Sequence, residues 1–292
     1  MTDQKYHAAV LGSPIAHSKS PAMHQAVYHY LEAPIDYGRY EVTEEQAPVF
    51  FATLAQRFGA RRQLAGFSVT MPLKGVLVAH MDHVSSRVKR LGVLNTVVFD
   101  DDGAAHGYNT DVDGVRLALA QAGFTSGQGG SMAILGAGGT ATAAVAAAAE
   151  MGLTKVVLYV RNRQRAQDAV AVAQNFGLQV QVALLETFAQ QAPDHAAVVA
   201  TLPAHAADAL ATELPQTELP PLLDVIYDPW PTALAAAWQQ TGAQVASGLD
   251  MLLYQGVEQA KLFTKKVVAN PENIDWDTAT QHMAAALGLD VS

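Results

Sequence analysis

Residues Ser131 to Gly152 read SMAILGAGGTATAAVAAAAEMG: an apolar strand from Met132 to Leu135, a glycine turn, and an alanine-rich segment unbroken until Gly152. Strand, tight turn and helix follow in that order. The spacing Gly136-x-Gly138-x-x-Ala141 has a mechanical reading. Gly136 permits the turn, Gly138 lets backbone approach a pyrophosphate, and Ala141 lets helix and strand pack closely. The unpaired N–H groups at such a helix start favour an anion. Glycine turns also occur at ordinary strand-to-helix junctions, so the next strand has to carry part of the argument.

That strand, Lys155 to Val160, runs into Arg161-Asn162-Arg163-Gln164-Arg165. A site for NAD places Asp or Glu about 20 residues past the glycines to hold the ribose hydroxyls. Here guanidinium groups stand instead, and they bind a 2′-phosphate that a carboxylate would repel. A solvated basic helix start is the ordinary alternative. On this reading NADP is favoured over NAD.

Beyond it, a helix over Ala166–Phe176 and strands at Val180–Leu184, Ala197–Ala200 and Pro221–Tyr227 continue the alternation. Strands separated by helical segments predict a parallel sheet with crossover helices. Asp228-Pro229-Trp230-Pro231-Thr232 reads as a rigid turn into a helix over Ala233–Gln240. Ser247 to Gly256 starts another helix, and a last one follows Pro271.

Upstream, Ala8–Leu11 is a strand closed by Gly12-Ser13-Pro14 and followed by His17-Ser18-Lys19-Ser20-Pro21. Ser20 suits a helix cap and Pro21 a first helical turn, with the helix over Ala22–Glu32. A strand over Tyr37–Val42 leads to a helix from Thr43, whose Thr-Glu-Glu-Gln start resembles a capping box. The strand Leu64–Val69 ends in Thr70-Met71-Pro72-Leu73-Lys74-Gly75, at the sheet edge where open α/β folds bind ligands. Lys74 by itself reads as a surface lysine. Asn95 and Thr96 head an apolar strand, Asp100–Gly103 makes a turn, and Ala105–Tyr108 returns as a hairpin. Asp111 reads equally as an N-cap of the helix Val115–Ala122.

At 292 residues the chain exceeds the usual domain of about 100–200 residues, so two domains are expected. A net charge of −9 argues against a nucleic-acid partner and leaves room for an anionic small molecule. No cysteine is present, which excludes disulfides and thiolate chemistry and fits a reducing compartment. The start, MTDQKYH, lacks the features of a signal peptide, and no apolar run has the length of a membrane span. A cytoplasmic protein without membrane association is expected.

Taken together, the polar loops form an ordered set: GSPIAHSKSP at Gly12–Pro21, SVTMPLK at Ser68–Lys74, GVLNT at Gly92–Thr96 and GYNTDVDG at Gly107–Gly114. GAGG at Gly136–Gly139, DVIYDPWPT at Asp224–Thr232 and GLDMLLYQG at Gly248–Gly256 complete it. This set resembles the shikimate dehydrogenase family from about Val10 to Phe263. The resemblance implies an α/β chain with an open α/β substrate domain over residues 1–107 and 246–292. A Rossmann-type NADP domain with a parallel sheet would occupy residues 108–245, with a cleft between the two.

The implied activity is reversible reduction of 3-dehydroshikimate to shikimate with NADPH, a step of aromatic amino-acid biosynthesis. Quinate, or both acids, possibly with NAD, is the alternative substrate reading. By the resemblance, Lys74 and Asp111 are the catalytic pair. Ser18, Ser20, Thr70, Asn95 and Gln255 hold the substrate's carboxylate and hydroxyls, and Tyr227 lies on the substrate side. Gly136, Ala137, Gly138, Gly139, Thr140, Arg161, Asn162, Arg163 and Thr201 bind the cofactor, with Gly248 and Met251 near the nicotinamide. No metal is implied, and the protein is expected as a monomer or homodimer.

The residue types suit the chemistry. Hydride addition to a ketone leaves an oxygen that must gain a proton, and a polyhydroxylated ring is recognised by directional hydrogen bonds. Ser68 stands where the family has asparagine, which predicts one altered substrate hydrogen bond. Val199-Ala200-Thr201-Leu202-Pro203 leaves Thr201 as the cofactor contact in its loop, and Arg161 and Arg163 compete for the phosphate role.

Overall fold

A computed structural model describes residues 5–127 and 129–290. The start of the MTDQKYH segment, Gln128 and the last two residues lie outside the described residues. The chain forms two compact units, residues 1–110 with 255–292 and residues 111–254.

In the first unit the strands are β1 (Tyr6–Gly12), β2 (Ile35–Glu41), β3 (Leu64–Val69), β4 (His83–Val84), β5 (Thr96–Phe99) and β6 (Ala105–Tyr108). They form one sheet in the order β2-β1-β3-β5-β6-β4. β1 pairs parallel with β2 and β3, whereas β5 runs antiparallel to β3 and β6. The reversal is local. Asp100 Oδ1 accepts the amides of Asp102 and Ala104 at 3.1 and 2.8 Å, and Gly103 takes φ +84°. An aspartate bonded to its own turn followed by a left-handed glycine folds the chain back as a hairpin.

One face of this sheet packs Phe50, Leu54, Phe67, Leu73, Val97 and Phe99 into a core. Phe67 is fully buried at its centre, where truncation of an aromatic costs about 3–5 kcal/mol. Across β3, the helix Gly248–Thr264 lies close to the backbone: a Cβ on Gly66 would stand 2.2 Å from Phe263 Cε1. Gly66 therefore sets how near that helix, with Gln255 and Gln259, approaches the sheet.

The second unit holds β7 (Ser131–Leu135), β8 (Lys155–Val160), β9 (Gln179–Leu184), β10 (Ala197–Ala200), β11 (Leu222–Asp224) and β12 (Val245–Ser247). Their order is β12-β11-β10-β7-β8-β9, with every neighbouring pair parallel. The chain starts at the centre, winds to one edge and then to the other, which puts the switch point at the carboxyl ends of β7 and β10. The helix Gly139–Glu150 buries Ala141 and Ala143 to Ala148, and its small side chains permit close packing. On one side of the sheet Phe188 stacks on Trp238 at 6.1 Å, and Trp238 Nε1 donates to the Pro220 carbonyl at 2.8 Å.

Several boundaries differ from the sequence reading. Ser20 is the first residue of the helix Ser20–Tyr30 and makes no cap; the Ser18 hydroxyl accepts the Ser20 amide at 3.3 Å. Gln46 Oε1 does reach the Thr43 amide at 3.0 Å, but Thr43 Oγ1 turns to Glu45 and the helix begins at Ala47. Asp111 likewise starts its helix, Asp111–Gln121, and is not the residue before it. β11 is shorter than Pro221–Tyr227, because the Asp224 carboxylate captures the Ile226 amide at 3.2 Å and ends the strand. β4, β12 and the short helices Leu73–Val76 and Ser86–Leu91 have no counterpart in the sequence reading. Among the described residues no helix is long and apolar enough to cross a membrane.

Candidate active site

In the first unit the carboxyl ends of the adjacent parallel strands β1 and β3 bring two of the polar loops together. Gly12 has no room for a side chain: a Cβ there would lie 2.4 Å from Thr70 Cγ2 and 2.8 Å from the Met71 carbonyl oxygen. The Ser13 amide donates to that carbonyl at 3.0 Å, and the Thr70 amide to Leu11 O at 2.9 Å. Ser18 and Thr70 are half-buried, and Ser20 is buried. Arg39 on β2 holds the serine loop by donating from Nη1 to the Ala16 carbonyl and from Nη2 to the Ser18 carbonyl. Sequence reasoning missed it because Arg39 is far from the loop along the chain.

Lys74 lies on the helical turn Leu73–Val76, half-buried, and its carbonyl accepts the Leu94 amide at 2.9 Å. The next residue, Asn95, is only 1% exposed, and its amide meets defined partners. Its Oδ1 accepts from the Thr110 amide at 2.7 Å and from Thr96 Oγ1 at 2.8 Å. Its Nδ2 donates to Thr110 Oγ1 at 3.0 Å and to Gln255 Oε1 at 3.2 Å. Thus Asn95, Gln255 and Thr110, the residue preceding Asp111, are tied into one hydrogen-bonded assembly, and the Leu94 amide next to Asn95 holds the Lys74 backbone. Gln255 is buried, which is unusual for a glutamine.

Ser68 finds its partners inside the protein. Its hydroxyl, 4% exposed, accepts from Tyr37 Oη and donates to Gln259 Oε1, each at 2.7 Å. Both hydrogen bonds are internal, so Ser68 supports the site from beneath. Gln259, absent from the sequence reading, continues inward to the fully buried His24, whose Nε2 lies 3.3 Å from Gln259 Oε1. The His24 ring stacks on Tyr37 at 4.3 Å, and burial pushes its pKa down to about 3. The available signal for Gln259 was its spacing from Gln255, since residues four apart share a helix face.

In the second unit the glycine turn opens a pocket of about 550 Å³ at the carboxyl ends of β7, β8 and β10. Its walls include Gly136, Ala137, Gly138, Arg161, Asn162, Arg165 and Thr201. Gly136 has φ +109°, and a Cβ there would sit 2.6 Å from Thr201 Oγ1. Thr201 is pinned in turn, its amide and hydroxyl both donating to the Leu135 carbonyl at 2.8 Å. At Gly138 and Gly139 an added Cβ would meet nothing within 4 Å. Their bareness answers no packing need of the protein, and it leaves space for close approach of a phosphate chain to the helix start, which carries no side-chain cap. Thr140 lies half-buried in the first turn.

The pocket wall carries two guanidinium groups and no carboxylate. Asn162 caps the turn Arg163–Ala166 by accepting the Gln164 amide at 2.9 Å. Arg165 comes back beside Arg161 four residues later, whereas Arg163 is not part of the wall. The group these residues fit is a dinucleotide bearing an additional phosphate on its ribose.

Tyr227 is 39% exposed after β11, on a turn closed by Thr232 Oγ1 donating to Asp224 Oδ2 at 2.6 Å. Burial raises the Asp224 carboxyl above its ordinary value. Met251 is buried in the first turns of the helix Gly248–Thr264. The missing side chain of Gly248 is explained by packing, since a Cβ would overlap the Val225 carbonyl at 2.0 Å. Ser247 and Asp250 cap that helix reciprocally: the Ser247 amide and hydroxyl donate to Asp250 Oδ2 at 2.7 Å, and Ser247 Oγ accepts the Leu249 amide at 3.2 Å.

Residues 10–97 match the family model described as shikimate dehydrogenase substrate binding domain. The chain is 34% identical over 259 residues to the shikimate dehydrogenase (NADP(+)) of Thermus thermophilus, covering 88% of this chain and 91% of that protein. It is 31% identical over 263 residues to the pentafunctional AROM polypeptide of Yarrowia lipolytica, of whose length it spans 16%. Among solved structures, a shikimate 5-dehydrogenase from Mycobacterium fortuitum superposes with a TM-score of 0.82 at 38% identity, over 98% of this chain and 99% of that one. The Thermus thermophilus shikimate 5-dehydrogenase in complex with NADP(H) and shikimate gives 0.76 at 30% identity, over 96% and 99%. With identity of this order over nearly its full length, the chain belongs to the shikimate dehydrogenase family.

Proposed function

We propose that this chain reduces 3-dehydroshikimate to shikimate reversibly with NADPH, with residues 1–107 and 246–292 binding substrate and residues 108–245 binding cofactor. The observation that carries this reading is the hydrogen-bonded assembly of Asn95, Gln255 and Thr110, beside which the Leu94 amide holds the Lys74 carbonyl. It supports the reading by holding the backbone at Lys74 and before Asp111, together with two buried amides, through defined hydrogen bonds.

NADPH, when bound, supplies the hydride. The protein supplies the proton and the geometry. The Lys74 ammonium donates a proton to the substrate oxygen as the carbonyl carbon becomes tetrahedral, and in the oxidative direction neutral Lys74 takes it back. The Asp111 carboxylate accepts hydrogen bonds from the ammonium and the reacting hydroxyl and keeps them aligned. Thr70, Asn95 and Gln255 engage ring hydroxyls, Ser18 and Ser20 the substrate carboxylate, and Tyr227 lies on the substrate side. Gly136, Ala137, Gly138, Gly139 and Thr140 hold the pyrophosphate with backbone N–H groups. Arg161, Asn162 and Arg165 take the 2′-phosphate, with Arg163 outside the pocket wall. Thr201, Gly248 and Met251 complete the cofactor set.

Initial rates of the purified protein on shikimate and quinate, each with NADP⁺ and NAD⁺, test the reading. The expected result is highest kcat/KM for shikimate with NADP⁺. Higher kcat/KM on quinate would reassign the substrate, and no turnover on either acid would remove the dehydrogenase activity. The same reading puts the enzyme in the cytoplasm as a monomer or homodimer, which fractionation and sedimentation address.

A further inference from the structure

We propose that Gln259 is a positioning residue for substrate recognition, fixing which end of the Asn95 amide faces the substrate. The proposal rests on the reading of Asn95 as a substrate ligand.

The argument follows hydrogen-bond direction through the interior of the first unit. Gln259 is 1% exposed. Its Oε1 lies 2.7 Å from the Ser68 hydroxyl and 3.3 Å from His24 Nε2. The Ser68 proton is directed there because Ser68 Oγ already accepts from Tyr37 at 2.7 Å. His24 Nε2 donates to the same oxygen in the tautomer whose Nδ1, 3.0 Å from Tyr28 Oη, accepts the phenol proton. Two donors on one side fix the Gln259 carbonyl towards them and turn its NH₂ the other way.

That NH₂ donates to the Asn95 carbonyl and to Thr96 Oγ1, each at 3.0 Å. With a lone pair of Thr96 Oγ1 taken, its own proton goes to Asn95 Oδ1 at 2.8 Å. Together with the Thr110 amide, this fixes Oδ1 inward, so Asn95 Nδ2 faces Gln255. An amide rotated by half a turn would present an acceptor where a donor is required, and buried polar groups make such a mismatch costly. Ser68 belongs to this arrangement: a hydroxyl at that position can accept from Tyr37 and donate to Gln259 at once.

Gln259→Met keeps the side-chain length and removes the direction. The expected result is a KM for shikimate raised roughly tenfold, the size of one misdirected hydrogen bond, with kcat changed less and the Kd for NADPH unchanged. Thr96→Val cuts the same relay at its second step and should raise KM similarly, while Thr96→Ser, which keeps the hydroxyl, restores the parent value. Combining Gln259→Met with Asn95→Ala should raise KM no further than Asn95→Ala alone.

A purely structural role for Gln259 would lower kcat through a smaller active fraction and leave KM unmoved, and that result overturns the proposal. If Asn95→Ala raises KM but Gln259→Met and Thr96→Val do not, the proposal alone falls. If Asn95→Ala leaves KM unchanged, the reading of Asn95 falls and takes the proposal with it. Should Gln259→Met fail to fold, the Thr96→Val and Thr96→Ser pair decides.

Discussion

The Thr110 amide donates to Asn95 Oδ1 at 2.7 Å, so the backbone entering Asp111 is fixed by the residue next to Leu94, whose amide holds the Lys74 carbonyl at 2.9 Å. Asn95, proposed as a recognition group, thus also holds the backbone on either side of it in place. Asn95→Ala leaves the buried Thr110 amide without this acceptor, at a cost of about 1–3 kcal/mol. The expected outcome is a lowered melting temperature together with kcat/KM for shikimate reduced by roughly 10²–10⁴-fold, because unmatched hydroxyls are rejected strongly. Steady-state kinetics beside thermal melts measure both, and unchanged kcat/KM would leave Asn95 outside the site.

Lys74 is assigned proton donation on chemistry and position. Lys74→Ala should lower kcat by roughly 10²–10⁴-fold, the range for general acid–base groups, while fluorescence titration finds NADPH binding intact. Full activity in that variant would remove Lys74 from the mechanism.

How far the sequence carried the structure can be seen at particular residues. The spans Leu64–Val69, Lys155–Val160, Ala197–Ala200 and Ala233–Gln240 were legible to the residue, because apolar runs there are bounded by turn formers and caps. The helix Ser86–Leu91 was missed although Ser85 caps it, accepting the Val88 amide at 3.3 Å, and Gly92 ends it with φ +75°. It is too short to display a hydrophobic period. The partner of Ser68 was not legible, because its position along the strand names its neighbours in sequence, while its hydroxyl bonds Gln259, 191 residues away. Arg163 was preferred over Arg165 because the return of the chain after Asn162 is a property of the turn and not of residue type.

The two arginines give a selective test of cofactor preference. Arg161→Gln and Arg165→Gln each remove a charge from the pocket wall, whereas Arg163→Gln does not. Hydrogen bonds to charged groups contribute about 1.5–3 kcal/mol, so KM for NADP⁺ should rise roughly 10- to 100-fold in the first two variants. KM for NAD⁺, which lacks the 2′-phosphate, should stay within about twofold, since the interaction removed is the one it never made. A larger effect at Arg163 would move the phosphate site out of this pocket.

The glycine turn separates a folding requirement from a binding requirement. Gly136→Ala forces a side chain into φ +109° and against Thr201 Oγ1 at 2.6 Å, and should cost about 1–3 kcal/mol of stability. Gly138→Ala meets no protein atom within 4 Å, so its melting temperature should match the parent. Calorimetric titration with NADPH should find affinity lost in both, because the Gly138 methyl occupies space the pyrophosphate needs. Tight NADPH binding by Gly138→Ala would mean the phosphates lie elsewhere.

His24 makes stability depend on pH in a defined direction. In the unfolded chain it titrates near its ordinary 6.5, and in the folded protein burial lowers this to about 3. Between those values the unfolded state binds a proton that the native state refuses, so stability is full above about pH 6.5 and falls as the solution is acidified. At pH 5 the loss from this group is about 2 kcal/mol. His195, lowered by burial, acts in the same sense, whereas Asp224, raised by burial, favours the native state as pH falls. Comparison with His24→Phe cancels both, since that variant retains them. His24→Phe should be less stable than the parent at pH 7, having lost the bonds to Tyr28 and Gln259. Its urea midpoint should nevertheless decline less between pH 7 and pH 5, and equal declines in the two proteins would show that His24 is not the group resisting protonation.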